Sequence, residues 1–168
     1  MRARWVVVAL LMVALAGQSV RAYQRVRSAR LVGAIRLQLA AASAGVPGPL
    51  ARAASAGLAE ARRLDPVAVE PRAFAGDLAL LLGRWEEAIA IYRRVAGHEL
   101  RAETLVNWGI ALERRGDHAA AIRQWRRAVA LAPRYLEGVV PSAFRDEVRA
   151  APLEPLPDSG ARSTRRAR

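Results

Sequence analysis

From Val69 to Pro133 the apolar and polar positions follow a helical period, and the same pattern is written twice. The stretch Gly76–Val95 reads GDLALLLGRWEEAIAIYRRV, and Gly109–Ala128 reads GIALERRGDHAAAIRQWRRA. Laid together, Gly76 falls on Gly109, Gly83 on Gly116, Ala88 on Ala121, Tyr92 on Trp125 and Val95 on Ala128. A repeat of this kind predicts stacked copies of one supersecondary unit. Gly83 and Gly116 each sit between two helical runs, where a residue free to take positive φ ends one helix and lets the chain reverse. Gly76 and Gly109 fall inside the first helix of each pair, where glycine costs about 1 kcal/mol against alanine. That cost is sensible where a second helix must come close. Ala88 and Ala121 are the small residues expected to meet the two glycines, with Tyr92 and Trp125 filling the space one turn further on. Each unit is then an antiparallel helical hairpin whose apolar face stays open until a neighbour covers it.

The second segment, Ala102 to Tyr135, keeps Leu105, Trp108, Gly109, Leu112, Ala121, Trp125, Ala128 and a closing Pro133. The first, Val69 to Arg101, carries the step Gly83-Arg84-Trp85-Glu86-Glu87-Ala88. With these residues the chain resembles the tetratricopeptide repeat family. The first segment departs from that pattern. Arg72 and Ala79 stand where large apolar residues are usual, and Leu100 stands in place of proline. Counting back one repeat, Ala54, Leu58, Ala61 and Pro66 land on the small, large, small and proline positions of a second helix. Residues 35–68 thus read as a degenerate first repeat turning at Gly45–Pro49. The resemblance implies an all-α fold, a short right-handed solenoid of antiparallel helical hairpins; the residues before it read, by their own pattern, as an N-terminal transmembrane or signal helix.

That N-terminal segment is residues 1–22. Arg2 and Arg4 precede an uncharged run from Trp5 to Val20. At 1.5 Å per residue the run is about 24 Å long, against about 30 Å for a hydrocarbon core, and arginines can snorkel at its ends. Two readings stay open. One is a signal peptide cleaved after Ala16 or Ala22; the other is an uncleaved anchor. The balance favours a single-pass membrane anchor at residues 5–20 with an extracytoplasmic, periplasmic soluble part. Residues 23–34 read as a basic juxtamembrane helix, and 35–150 as the repeat domain: repeats 35–68, 69–101 and 102–135, then a capping helix at 136–150. The proline- and arginine-containing residues 151–168 read as a disordered basic tail.

Charge sharpens this division. The net charge is +12, all of the positive charge is arginine, and there is no cysteine. Residues 1–36 hold seven arginines and no acid, whereas residues 69–133 hold ten arginines against eight carboxylates. Nucleic-acid binding is disfavoured because the excess charge sits at the two ends. His98 and His118 share no metal-ligand spacing. No nucleophile elbow, phosphate loop or dinucleotide fingerprint appears. Neither an enzyme, a cofactor nor a small-molecule substrate is therefore expected.

The resemblance also implies a concave face lined by the first helix of each hairpin. Its positions here are Glu70, Ala73, Asp77 and Leu80, then Glu103, Val106, Asn107, Ile110, Glu113 and Arg114. The face is apolar with acidic edges and suits an extended or helical protein segment. Some family members hold a peptide's C-terminal carboxylate with lysine and asparagine. Asn107 alone fits that role here, so carboxylate capture is not expected. The pair Val106→Arg and Ile110→Glu is expected to abolish partner binding while leaving the fold intact. The reading is a membrane-tethered adaptor for protein–protein interaction. The alternative is a small structural subunit of a bacterial-type envelope export or assembly machine, held by its membrane helix and stalk.

Overall fold

The computed structural model describes residues 2–41 and 45–153, and every element among them is helical. The order is α1 (Arg2–Ala41), α2 (Gly48–Leu64), α3 (Glu70–Leu81), α4 (Trp85–Ala96), α5 (Ala102–Arg115), α6 (His118–Leu131), α7 (Tyr135–Gly138) and α8 (Arg145–Ala150), with a 3-10 turn at Ser142–Phe144. The chain divides into two compact units, Met1–Phe74 and Ala75–Arg168, with the division inside α3.

In the first unit, α1 is one unbroken helix of 40 residues. No proline interrupts residues 2–41, and Val46-Pro47 follows at the turn. Proline at the start of α2 has the fixed φ that a first helical turn needs. One face of α1 buries Ser28, Val32, Ile35 and Leu39, and α2 buries Ala51, Ala54, Leu58 and Ala61. The spacing of three and four puts each set on a single helical stripe. The two helices pair, with the Ser28 hydroxyl donating to the Ala61 carbonyl at 2.9 Å. Gly57 is needed for this approach, since a Cβ there would lie 2.7 Å from Ile35 Cδ1.

This helix corrects the membrane assignment. Among the described residues no helix is long and apolar enough to cross a membrane. The expected single-pass anchor with a periplasmic soluble part is therefore overturned, along with the transmembrane helix of the expected fold. The physical reason lies in length and charge. The apolar run falls short of the hydrocarbon thickness, and the helix does not end with it. It runs on through Arg21, Arg25, Arg27 and Arg30. The segment and the stalk read as separate pieces are one element.

In the second unit both glycine turns are built alike. Gly83 and Gly116 take φ of 70° and 93°. Gly83 N–H donates to Leu80 O and Arg84 N–H to Ala79 O; Gly116 N–H donates to Glu113 O and Asp117 N–H to Leu112 O. Each pair is the double closure that satisfies the last carbonyls of a helix. The next helices start differently. Asp117 caps α6 by accepting from the Ala120 N–H at 3.2 Å, whereas Arg84 gives α4 no side-chain cap. Glu86 and Glu87 in the first turn of α4 and Arg93 and Arg94 in its last turn match the helix dipole instead.

The glycines inside the first helices meet the aromatic rings, not the alanines expected. A Cβ at Gly76 would lie 2.6 Å from Tyr92 Cε1, and a Cβ at Gly109 would overlap the Trp125 indole. Ala88 and Ala121 are fully buried beside them in one core cluster with Ala79, Ile89, Leu112, Val140 and Val148. A smaller cluster joins Leu105, Val106 and Ala128. The end of the stack is covered by the chain after Pro133. Phe144 lies 5.4 Å from the Trp125 ring and 5.6 Å from the His118 ring, and Val140 and Val148 are buried. Arg145 ties this cap together through Glu137 and the Val140 carbonyl. The cap is α7, a 3-10 turn and α8, with the interruption at Pro141. Ala151 accepts from Arg126 Nε at 3.0 Å. The basic tail expected at 151–168 lies, from residue 154 on, outside the described residues.

Candidate protein-binding face

The expected face falls on both units. In the first, Glu70 accepts from Arg36 Nη2 at 3.1 Å, and Ala73 is half-buried. In the second, α3 supplies Asp77 and Leu80 while α5 supplies the rest.

Asp77 is an internal bracket. Its Oδ1 accepts from the Tyr92 hydroxyl at 2.7 Å and from Asn107 Nδ2 at 2.8 Å. One carboxylate thereby links α3, α4 and α5. Charge-assisted hydrogen bonds of this kind are about twice as strong as neutral ones. Burial pushes the Tyr92 phenol well above its ordinary pKa, and the Asp77 charge and hydrogen bond push it the same way. The phenol stays protonated and donating. Asn107 gives an amide hydrogen to this bracket.

Val106 belongs to the core. It is 2% exposed, beside Leu105 and Ala128, and its carbonyl accepts from Trp125 Nε1 at 3.2 Å. An arginine there would bury a charge without a partner, so the expectation that Val106→Arg spares the fold is corrected. Tyr135, the first residue of α7, packs at the edge of this cluster and donates to Glu103 Oε1 at 2.7 Å. That hydrogen bond is the first cause holding the Glu103 carboxyl below its ordinary range; its backbone bond and Arg134 and Arg101 add to the effect. Tyr135 and Arg134 are thus neighbours of the face that helical spacing did not reveal. The aromatic two residues after the closing proline was the available signal.

Leu80 and Ile110 are half-buried at the edge of the larger core cluster. Glu113 is half-buried and lies 3.7 Å from exposed Arg114. The surface left along α5 is therefore Glu103, Asn107, Ile110, Glu113 and Arg114, an apolar centre between charged ends. Among the described residues no group of acids and histidines gathers to hold a metal ion.

Residues 102–135 match the tetratricopeptide repeat. The match starts at the first residue of α5 and ends at Tyr135. No curated protein and no solved structure matches the chain. The tetratricopeptide repeat is a module of protein–protein interaction rather than of catalysis, and its packing positions are the buried Leu105, Gly109, Leu112, Ala121, Trp125 and Ala128. Such a repeat supplies a rigid helix face.

Proposed function

We propose that the chain is a non-catalytic adaptor that binds a segment of another protein along the exposed face of α5. The observation that carries this reading is the row Asn107, Ile110 and Arg114 within the matched repeat. Spacings of three and four keep these residues on one stripe, and each retains exposure while Leu105, Ala111 and Leu112 are buried. Ile110 and Leu80 supply apolar contact, and Glu103, Glu113 and Arg114 supply charges at its margins. Margin charges steer and select a partner more than they tighten it. Glu70 and Ala73, on the first turns of α3 in the first unit, are proposed by themselves as contact residues of that unit. Carboxylate capture is not part of it, because the Asn107 amide is committed to Asp77.

A photo-cross-linker placed at Arg114 or at Arg93 tests the reading. Arg93 is equally exposed but sits on α4. One protein cross-linked from position 114 and lost on Ile110→Glu is the expected result. Cross-linking of that protein from position 93 alone would overturn the reading.

A further inference from the structure

The outer side of α6 is a charged surface of one sign. The helix carries Arg123, Arg126 and Arg127 and no carboxylate between His118 and Leu131. At 100° per residue the three arginines fall within about 100° of one another. They lie opposite the buried stripe of Ala121, Gln124, Trp125 and Ala128. Arg123 is exposed and the other two are half-buried. Arg126 already holds a piece of extended chain. Its Nε donates to the Ala151 carbonyl at 3.0 Å, where α8 has ended and the backbone has turned to φ −60° and ψ 136°. Two residues on, Leu153 is the last described residue and is 56% exposed.

The sequence beyond it has two halves of opposite charge. Residues 154–161 hold Glu154 and Asp158 and no arginine, whereas residues 162–168 hold Arg162, Arg165, Arg166 and Arg168 and no acid. The first half complements the outer side of α6, and the second is repelled by it. From Ala151 to Pro157 every residue except Leu153 is a proline or precedes one. Both positions favour extended backbone, so docking has less chain entropy to remove. At about 3.1 Å per residue for such a chain, Glu154 reaches about 9 Å from Ala151 and Asp158 about 22 Å. Arg123 and Arg127 flank Arg126 and are about 6 Å apart along the helix. A segment tethered this closely meets its surface at an effective concentration on the order of millimolar, which favours it over a free acidic segment of another protein. We propose that residues 154–158 dock on the outer side of α6 as an acidic strap, with Glu154 and Asp158 facing Arg123 and Arg127. The end of the repeat is then closed by its own chain, and the arginine-rich residues 162–168 are carried at that edge.

The test is the steady-state 15N NOE of the Leu156 amide in the full chain. It should match the values of the α6 amides. Glu154→Gln with Asp158→Asn leaves α6 untouched and lowers it to less than half. Arg123→Glu with Arg127→Glu does the same, and adding Glu154→Arg with Asp158→Arg to that pair restores it. A value below half that of α6 in the natural chain overturns the proposal. So does order that survives the neutral pair, or order that the charge swap fails to restore in a chain whose circular dichroism stays helical. If the reversed α6 does not fold, the neutral pair still decides. Order that grows with protein concentration assigns the strap to a second copy of the chain and likewise overturns the proposal.

Discussion

Tyr92 lies over Gly76 and Trp125 lies over Gly109 at the same offset in two consecutive hairpins, yet their polar atoms are satisfied in different ways. The Trp125 indole N–H donates to a backbone carbonyl, that of Val106, inside its own hairpin. The Tyr92 hydroxyl donates to the Asp77 carboxylate, which also takes a hydrogen from Asn107 of the following hairpin. The second hairpin therefore closes on itself. The first closes partly through its neighbour, by a bond between residues far apart in sequence. A neutral partner makes the Trp125 closure indifferent to pH, and a charged one ties the Tyr92 closure to it. The helix starts show the same contrast, since Asp117 caps α6 and nothing of the kind caps α4.

The largest effect should come from the self-contained hairpin. Trp125 is fully buried, touches Phe144 of the cap and anchors the core. Trp125→Ala should cost about 3–5 kcal/mol, seen as a lower denaturant midpoint. A loss no larger than that of an exposed substitution would break the comparison. Gly109→Ala comes next. Its new methyl would overlap the indole at Nε1, the atom that donates to the Val106 carbonyl, and overpacking of this sort costs about 1–3 kcal/mol. Gly76→Ala should also destabilise, because the Tyr92 ring is close as well.

The pH response is smaller and sharper in what it separates. The Tyr92 phenol titrates higher in the folded chain than in the unfolded chain, where a tyrosine titrates near pH 10. The stability it contributes is fully present below about pH 10 and is lost as pH rises beyond that. Melting temperature followed from pH 9 upward should fall more steeply for the natural chain than for Tyr92→Phe. Parallel curves would show that the carboxylate bracket carries no weight.

The turn glycines, the buried alanines and the hairpin plan were legible because each answers a local demand of backbone or spacing. The partner of each inner glycine was not, since an aromatic ring reaches across a helix pair to a place that a one-dimensional pattern assigns to the nearest small residue. Asp77 read as a surface contact for a related reason: an aspartate on a half-exposed stripe looks the same whether it faces a ligand or bridges three helices. Val106 was misplaced because the family position is open until something covers it, and here it lies inward among Leu105 and Ala128 with Tyr135 at the margin. The apolar run at the start of the chain was visible, but its end was not. Ala22 and Tyr23 contain no helix breaker, and the helix continues through the arginines.

The central claim is that the first hairpin is completed by the second through Asp77. A double-mutant cycle of Asp77→Ala and Asn107→Ala, read by denaturant unfolding, tests it most directly. The structure predicts that the two losses fail to add, with a coupling of at least about 0.5 kcal/mol, as for residues sharing one hydrogen-bond network. Losses that simply add would contradict it and leave the two hairpins as neighbours without a shared bond.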